Sequence, residues 1–490
     1  MDLTDRLSKS RYTKGLRCPL ELYLAVHHYE LSSPPSPEAQ ARMDNGTRIH
    51  EIAHDRFPGG VLIEDDRFHF AEALQHTQEA IASGVGTLFE AAFVHDDVKI
   101  RVDVLRRCAD GGWELVEVKS PKRYDPDRHL DDAGVQLHVL LGSGIDVRRV
   151  TLLHLNGDYV YPGGGTYDPQ ELFAATDITT EAFDYVERVP VKIAEMMAML
   201  AEPEQPEAPE GVDCKEPYEC EFYAWCHRDD VGPDLSEEAE FVPAVLKRLD
   251  DLRYPLHFVD FETLHPALPV VPGTHPYQTM RVQWSMHTLD ASGNLTHADW
   301  LLHDADENPD REFMRTLLDA LAGEGTFIYY SAYERTQMVD IASRYPEFRQ
   351  PLIDRIPGFY DKLAEKLAKQ GSSYADLRPR SEGGLLDFDL GSRVVKDGCL
   401  HPVFGPDGKK WSIKPAIKVL ARDLPPYESL AIGNGDMSMV ATEEMLDPGT
   451  SPERSAEIRA DLLTYCSQDT MAMVMIYGTL RTAQISVGAC

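Results

Sequence analysis

Alternating apolar and polar positions predict several strands in the first half of the chain. The segments 97–107 (DVKIRVDVLRR) and 113–120 (WELVEVKS) alternate with period two and are rich in Val and Leu, which predicts a hairpin that turns across 108–112. A helix with an Asp N-cap and a Gly stop is predicted over 131–144 (DDAGVQLHVLLGSG), and a strand over 147–156 (VRRVTLLHLN). Together with helices in the first 100 residues, this pattern indicates a mixed α/β domain.

The second half of the chain predicts another set of strands and helices. Apolar strands are predicted over 254–263 (YPLHFVDFET) and 280–290 (MRVQWSMHTLD), and 325–343 (GTFIYYSAYERTQMVDIAS) predicts a strand that runs into a helix. The segment 453–480 (ERSAEIRADLLTYCSQDTMAMVMIYGTL) predicts a long amphipathic helix. These elements indicate a second α/β domain.

A Pro/Glu-rich spacer marks the boundary between the two predicted domains. Residues 202–210 (EPEQPEAPE) suit neither a helix nor a sheet, and an acidic stretch over 228–241 (RDDVGPDLSEEAEF) follows. We therefore predict a first domain over 1–230, an acidic linker over 231–245 and a second domain over 246–482.

Composition and charge restrict the class of function. The 490-residue chain is 43% hydrophobic, and it contains no run of about 18 apolar residues that could cross a membrane. Its polar start lacks the apolar core of a signal peptide, so we expect a cytoplasmic protein with no membrane partner. The net charge of −34 argues against nonspecific binding to nucleic acid. Basic residues are nevertheless concentrated near the N-terminus and over 409–418, which permits a polyanionic partner.

Asp103, Glu117 and Lys119 form the first candidate site. Glu117 and Lys119 share one face of a predicted strand, and the hairpin can bring Asp103 alongside them. Two carboxylates and the carbonyl of Val118 suit Mg²⁺ or Mn²⁺, and the lysine can then position an attacking water. A surface Glu–Lys pair on a strand is the structural alternative.

Nearly the whole first domain resembles the PD-(D/E)xK nucleases, in the RecB-like branch that includes the CRISPR-adaptation exonucleases. The matching segments are SKSRYTKGLRCPLELYL, GTRIHEIAH, RVDVL, ELVEVKS and VQLHVL. The resemblance implies a restriction-endonuclease-like fold with Asp103, Glu117 and Lys119 as its catalytic set. It also implies that His50 is an additional metal ligand and that Gln136 supports the site and the nucleic acid.

The cysteines fit the same resemblance. Eight cysteines in a chain expected to be cytoplasmic are read as metal ligands or buried small hydrophobic residues rather than as disulfides. In the RecB-like branch one N-terminal and three later cysteines bind a 4Fe–4S cluster, which implies Cys18, Cys214, Cys220 and Cys226 as ligands. Five residues separate each adjacent pair of the last three, whereas relatives often have a first gap of two residues. Zn²⁺ therefore stays open as the alternative.

Acidic residues in the second domain form another candidate site. VDFET places Asp260 and Glu262 on one face of a strand, and YCSQD places Tyr465 and Asp469 on one face of a helix. Burying several carboxylates together is costly unless cations neutralise them, which two metal ions about 4 Å apart can do. A set of capping and surface acids is the structural alternative, because the D-x-E pattern often occurs by chance.

In chain order, VDFET, FIYYSAYERTQM and TYCSQDTMAM resemble the three motifs of the DEDD exonucleases of the RNase H-like fold, the class that includes proofreading domains and RNase D. The resemblance implies that Asp260, Glu262, Glu334 and Asp469 hold the metal ions and that Tyr465 orients the nucleophilic water. Glu334 stands where most members carry Asp. The second domain further resembles an uncharacterised bacterial family that is often joined to a RecB-like nuclease, as here.

Two weaker features accompany this site. The loop GKKWSIKPAIK, with Lys409, Lys410 and Lys414 around Trp411, could follow a phosphate backbone and stack on a base, although lysine clusters are usually just solvated. Asp387 in LLDFDL is a candidate accessory acid, with a turn or cap role as its alternative.

These features predict a metal-dependent nuclease with two phosphodiesterase sites, a RecB-like site in the first domain and a 3′–5′ exonuclease site in the second. The expected cofactors are Mg²⁺ or Mn²⁺ at both sites and the iron–sulfur cluster. The expected partner is nucleic acid, DNA before RNA, together with proteins of a DNA-repair or anti-phage defence complex. The alternatives are an RNA 3′-exonuclease whose first domain only binds nucleic acid, and a non-catalytic iron–sulfur scaffold of a larger complex.

Overall fold

The chain forms two compact units that each combine helices and strands. A computed structural model describes residues 7–65, 69–230, 232–304, 307–321, 323–380, 383–404 and 411–488. The N-terminal unit contains residues 1–230 and 275–277, and the C-terminal unit contains residues 231–274 and 278–490. The predicted mixed α/β class is confirmed. Within the ranges given above, every helix is too short or too polar to cross a bilayer.

The N-terminal unit is built around one seven-stranded sheet. Its strands are β1 (Leu7–Ser8), β2 (Val61–Leu62), β3 (Thr87–His95), β4 (Val98–Arg107), β5 (Trp113–Lys119), β6 (Val147–Leu155) and β7 (Phe173–Asp177). Its helices are α1 (Lys9–Arg17), α2 (Pro19–His27), α3 (Pro37–His54), α4 (Phe70–Ala82), α5 (Pro126–Gly142), α6 (Pro169–Leu172), α7 (Thr179–Val186), α8 (Val189–Leu200) and α9 (Tyr223–Cys226).

Strands β2 to β7 follow one another across this sheet in chain order. The predicted hairpin is confirmed, because β4 and β5 pair antiparallel. Strand β6 runs parallel to β5, and α5 supplies the crossover that a parallel pair requires. Strand β1 pairs with the first residues of β4, ahead of the β4 positions that pair with β5.

Helix α5 begins earlier than the sequence predicted. Asp125 is its N-cap and accepts a hydrogen bond from the backbone N–H of Asp127, and Pro126 occupies the first helical position. An Asp cap followed by Pro is a strong start signal, because the proline lacks an N–H that would be unpaired there. The predicted start near residue 131 is therefore wrong, whereas the stop is confirmed by Gly144, which has a φ of 81°.

The C-terminal unit contains a five-stranded sheet and a second small one. Its strands are β8 (Glu240–Phe241), β9 (Leu256–Leu264), β10 (Met280–Leu289), β11 (Leu295–Leu301), β12 (Gly325–Tyr329), β13 (Leu385–Asp389) and β14 (Cys399–Leu400). Its helices are α10 (Pro243–Leu246), α11 (Asp310–Ala320), α12 (Tyr333–Arg344), α13 (Arg349–Arg355), α14 (Tyr360–Lys369), α15 (Lys396–Gly398), α16 (Ile413–Leu420), α17 (Gly435–Leu446) and α18 (Pro452–Gly488).

The larger sheet has the strand order β11-β10-β9-β12-β13. Strands β9, β10 and β11 form an antiparallel meander, and β12 runs parallel to both β9 and β13. The carboxyl ends of β9, β12 and β13 therefore meet at one edge of the sheet. Helix α12 starts just after β12, and α18 packs across β9 and β10. The sequence had predicted β9, β10, β12, α12 and α18, and the structure confirms them.

A buried arginine fixes α11 and α12 against β10. Arg281 is 2% exposed, and its guanidinium pairs with Asp310 at 3.0 Å and Asp340 at 2.6 Å. Its Nε donates to Gln337 Oε1 at 2.8 Å. Because α12 also carries Glu334, this network helps to set the position of one predicted metal ligand.

Candidate metal centres

Asp103 and Glu117 lie side by side where the β4–β5 ladder ends. Val104 pairs with Val116, and the N–H of Val118, just beyond that pair, donates to Asp103 Oδ2 at 2.8 Å. Asp103 is 4% exposed and Glu117 is fully buried. The hairpin therefore brings together the two carboxylates that lie fourteen positions apart in the sequence.

Glu117 accepts hydrogen bonds from three side chains. Lys119 Nζ lies 2.9 Å from Oε1, and Gln136 Nε2 donates to Oε2 at 2.6 Å. Lys9 Nζ donates to Oε1 at 3.0 Å and lies 3.3 Å from Oε2. Lys119 also pairs with Asp132 of α5. Sequence reasoning placed Lys119 and Gln136 at the site but missed Lys9 and Asp132, which no local motif singles out.

His50 and an unpredicted acid, Glu90, lie on the other side of Asp103. One ligand atom from each of His50, Glu90 and Asp103 lies within 4.8 Å of the other two. His50 Nε2 is 4.0 Å from Asp103 Oδ2. Glu90 stands opposite Asp103 in the β3–β4 ladder, between two paired positions, and its φ of 55° interrupts the pairing. Once the antiparallel register of β3 and β4 is known, Glu90 can be identified by counting along the ladder.

The surrounding charges act differently on these three acids. Burial raises the pKa of Asp103, and the neighbouring Glu117 raises it further. Burial acts in the same direction on Glu117, but Lys119, Lys9 and the Gln136 hydrogen bond outweigh it, so the pKa of Glu117 falls below its ordinary value. Burial and Asp103 raise the pKa of Glu90. Protein cations therefore already stabilise the charge on Glu117, whereas a divalent cation would stabilise Asp103 and Glu90.

The four predicted cluster ligands converge in the N-terminal unit. Cys18 stands between α1 and α2, and Cys220 donates its N–H to the carbonyl of Cys214 at 2.8 Å. Besides burial, the charge of Cys214 raises the pKa of Cys18, Cys226 and Cys220, the last to about 11. Free thiols are the donor type that an iron–sulfur cluster or Zn²⁺ takes, although no three of these four sulfur atoms, all of them in described residues, lie within 4.8 Å of one another.

Protein contacts also join the first helix to the later cysteine segment. Lys14 Nζ lies 2.6 Å from Glu221 Oε1, and Arg17 donates to the carbonyl of Tyr218 at 3.1 Å. Leu20, Leu24 and Phe222 pack into one small apolar cluster beside the cysteines. The cysteine positions are thus held near one another by ion pairs and packing as well as by any bound group.

The C-terminal carboxylates come from three separate elements. Asp260 and Glu262 lie on β9, Glu334 is the second residue of α12, and Asp469 lies on α18. Glu262, Glu334 and Asp469 are 8%, 4% and 5% exposed, and Asp260 is half-buried. The structure brings together all four acids that the sequence analysis named.

Burial raises the pKa of every acid in this group, and neighbouring acids raise it further at Asp260, Glu262 and Glu334. The pKa of Glu262 rises to about 8, through burial and then Asp469, and burial is the largest cause for Glu334, which also rises to about 8. Burial raises the pKa of Asp469 to about 6. The pKa of Asp260 lies well above its ordinary value, because its carboxyl is shielded from water and interacts with the other three acids. Within the described residues, Glu334 Oε2 has no hydrogen-bond partner. Without a cation, the ionised form of this group is therefore disfavoured.

Other side chains line this centre. The hydroxyl of Tyr427 donates to Asp469 Oδ1, and the charge of Lys414 lowers the pKa of both Glu262 and Asp469. Cys466 Sγ lies 3.6 Å from Asp260 Oδ2. The sequence analysis did not assign Tyr427 or Cys466 to the site. Cys466 could have been identified from the sequence, because it directly follows Tyr465, a predicted site residue on α18.

Tyr465 is buried beside the carboxylates. It is 4% exposed, and its ring makes an edge contact with Tyr427 at 5.9 Å between ring centres. Burial and the charges of Asp469, Glu262 and Asp260 raise its pKa, so the phenol stays protonated. A protonated phenol at this position can donate a hydrogen bond to an oxygen bound between the acids.

The remaining predicted residues have other contacts. Asp387 accepts hydrogen bonds from Tyr329 at 2.7 Å and from Arg335 at 3.1 Å. The acid that acts on Glu334 is instead Asp389, two residues further along β13, whose charge raises the pKa of Glu334.

The predicted nucleic-acid loop is only partly described. Trp411 is half-buried and stacks near Tyr330, at 6.3 Å between ring centres. Lys414 faces the carboxylate centre and donates to the carbonyl of Gly433 at 3.1 Å. Lys409 and Lys410 lie outside the described residues.

Both carboxylate centres fit hard divalent cations. Carboxylate oxygens are the ligands that Mg²⁺ and Mn²⁺ prefer, and the N-terminal centre adds an imidazole nitrogen from His50. In the C-terminal centre, Glu334 Oε2 has no hydrogen-bond partner among the described residues, and burial raises the pKa of Glu262 and Glu334, so a bound cation would stabilise their ionised forms.

One family model matches part of the chain. The model of the family described as a domain of unknown function, DUF2779, matches residues 257–375. The matched stretch contains Asp260, Glu262 and Glu334 but stops before Asp469. A comparison with curated proteins finds no match.

Proposed function

We propose that the protein is a metal-dependent nuclease that acts on DNA, with one phosphodiesterase site in each unit. The observation that carries this proposal is the C-terminal carboxylate centre, in which four acids from three elements are packed together with raised pKa values. Such a group needs cations for its ionised state, and paired metal ions held by carboxylates are used to hydrolyse phosphodiesters.

The sheet topologies support the proposal. An antiparallel meander of three strands followed by two parallel strands is compatible with an RNase H-like exonuclease fold in the C-terminal unit. In the N-terminal unit, the β3–β4–β5 meander followed by α5 and the parallel strand β6 is compatible with a PD-(D/E)xK fold. The proposed roles follow from these folds, a RecB-like nuclease in the first unit and a 3′–5′ exonuclease in the second.

The chain's own side chains have distinct roles in the C-terminal centre. When bound, divalent cations would polarise the phosphodiester and activate a water molecule. Asp260, Glu262, Glu334 and Asp469 would hold the cations, and Tyr427 keeps Asp469 oriented through its hydrogen bond. The protonated phenol of Tyr465 would orient the attacking water.

In the N-terminal centre, Lys119 is the proposed group that positions the attacking water. Glu117 and Asp132 hold its ammonium group in place, and Gln136 in turn holds Glu117. Asp103 and His50 would contribute cation ligands. Cys18, Cys214, Cys220 and Cys226 would bind a 4Fe–4S cluster with a structural role, because they join the two ends of the unit.

The test uses the full chain, purified without oxygen and supplied with Mn²⁺. Single-stranded DNA and RNA, labelled at either end, are incubated with the wild type and with the Lys119→Ala and Asp260→Ala variants. We expect Asp260→Ala to lose 3′ trimming and Lys119→Ala to lose the other cleavage, each by about a hundredfold or more, the scale at which single catalytic groups contribute.

Matched controls separate the loss of a site from the loss of a charge. Lys192→Ala and Asp319→Ala remove an exposed lysine and an exposed acid from the same units, and we expect them to cleave like the wild type. Absence of cleavage of both polymers by the wild type would contradict the nuclease proposal. Cleavage of RNA alone would support phosphodiester hydrolysis but contradict DNA as the substrate.

A further inference from the structure

The N-terminal segment delivers a lysine to the first carboxylate centre. Strand β1 pairs in parallel with β4, and the hydroxyl of Ser8 caps α1 by accepting from the N–H of Arg11. Lys9 is therefore the first residue of a helix whose start is fixed to the sheet. An N-cap and a strand pair hold the backbone of Lys9 more firmly than a free terminus would.

Lys9 lies where a cation shared by Glu117 and Asp103 would be expected. Its Nζ is 3.0 and 3.3 Å from the two oxygens of Glu117 and 3.8 Å from Asp103 Oδ1. With Lys119 on the same carboxylate, Glu117 has two ammonium partners. A cation that uses Glu117 as a ligand would have to displace at least one of them.

A different ligand set is available on the other side of Asp103. His50, Glu90 and Asp103 each direct one ligand atom into a group no wider than 4.8 Å. Glu90 is held there by its ladder position opposite Asp103 and by Arg101, whose Nε lies 3.4 Å from Glu90 Oε2. The other nitrogens of Arg101 donate to the carbonyls of Ile63 and Asp65, so the guanidinium is itself fixed.

We propose that the N-terminal unit binds one divalent cation through His50, Glu90 and Asp103, and that the ammonium group of Lys9 takes the place of a second cation beside Glu117. The role of this arrangement in cleavage rests on the proposed function, but binding of the cation does not. A ligand set of one imidazole and two carboxylates suits Mn²⁺, which is therefore the probe.

The first experiment identifies the ligands by Mn²⁺ titration, using calorimetry and the paramagnetic resonance of free Mn²⁺. All chains are full length and carry Asp260→Asn and Asp469→Asn, which weaken the C-terminal centre. We expect one Mn²⁺ per chain, an affinity about tenfold or more lower in Glu90→Gln, and a change of less than about threefold in Glu117→Gln. His50→Ala removes the third proposed ligand. The His50 side chain is 33% exposed, so this substitution is made where the site faces solvent.

The second experiment tests Lys9 by stoichiometry. Lys9→Ala removes the charge between Glu117 and Asp103, so we expect it to bind two Mn²⁺ per chain, whereas Lys9→Arg retains a cation and binds one. Lys14→Ala is the matched control, because Lys14 lies on the same helix but pairs with Glu221. Circular dichroism and thermal unfolding confirm that each variant is folded.

Opposite results overturn the proposal. A large loss of affinity in Glu117→Gln with none in Glu90→Gln and His50→Ala would place the cation between Asp103 and Glu117 instead. A stoichiometry of one in Lys9→Ala, or of two in the wild type, would refute the role of Lys9. Mn²⁺ binding as expected in a chain that cleaves neither DNA nor RNA would contradict the nuclease proposal but support this site.

Discussion

Neutralising one acid of the C-terminal centre should stabilise the metal-free protein while abolishing its response to metal. Asp260 interacts with all three other carboxylates of that centre. Asp260→Asn keeps the shape of the side chain and removes an acid whose ionised form the folded centre disfavours. Active-site residues usually contribute little to stability or oppose it, and here burial of the acids together with their mutual repulsion makes that opposition large enough to measure.

The magnitude follows from the raised pKa values. Glu262 and Glu334 have pKa values of about 8 in the folded chain, against 4.5 ordinarily. An acid whose pKa is raised by folding binds more protons in the folded state, so the metal-free chain loses stability as pH rises from about 4.5 to about 8. At pH 7 each shift alone corresponds to a loss on the order of 3 kcal/mol. Burial is the largest cause of both shifts and Asp469 contributes to both, so the two losses are not independent and do not add.

A bound cation reverses this loss. At a Mn²⁺ concentration one hundred times its Kd, the folded state gains about 2.7 kcal/mol. For a unit of this size each kcal/mol raises Tm by about 2–4 °C, so the expected shift is about 5–10 °C. The shift should be larger at pH 7.5 than at pH 5.5, because protons compete with the metal at low pH.

The assay is scanning calorimetry of full-length chains that carry Asp103→Asn, so that the N-terminal centre no longer responds. Asp260→Asn should raise the metal-free Tm of the C-terminal transition at pH 7.5 by a few degrees and leave no shift with Mn²⁺. Glu428→Gln, which neutralises an exposed acid beside Tyr427, should change neither quantity. A lower metal-free Tm in Asp260→Asn, or an undiminished Mn²⁺ shift, would refute the reasoning.

Three further predictions concern single contacts. Asp310→Ala leaves the buried Arg281 without one partner, so we expect a loss of about 3–5 kcal/mol in the free energy of unfolding, measured by denaturant titration. Tyr427→Phe removes the donor that lowers the pKa of Asp469, so Mn²⁺ affinity should fall more at pH 6 than at pH 8 when measured by calorimetry. Cys214→Ser should reduce the iron content and visible absorption of anaerobically purified protein to near zero.

Each of these three has its own control and contrary result. Asp319→Ala removes an exposed acid of the same helix as Asp310 and should cost less than about 1 kcal/mol; an equal cost would deny a special role to the buried pair. An equal loss of Mn²⁺ affinity at both pH values would show that Tyr427 does not act through the pKa of Asp469. Cys108→Ser should retain iron, and zinc in place of iron in the wild type would establish the alternative metal.

The sequence by itself determined the local elements and most of the acids at the two centres. An apolar run identified β9, and period two identified β4, β5 and β10, because each of these strands buries at least one face against a core. It also paired residues that share a strand or a helix face, such as Glu117 with Lys119 and Asp260 with Glu262. Local patterns record these relations directly, since they depend only on the geometry of one element or one hairpin.

Only the tertiary structure decided which distant side chains complete the centres. Lys9 reaches Glu117 because β1 pairs with β4, and Glu90 faces Asp103 because of the β3–β4 register. Asp389 rather than Asp387 acts on Glu334, because β13 runs parallel to β12 and ends beside the start of α12. Register and strand pairing depend on the packing of the whole sheet, and a shift of one residue would turn the strand residues Glu90 and Asp389 to the opposite face. No local pattern in the sequence specifies that choice.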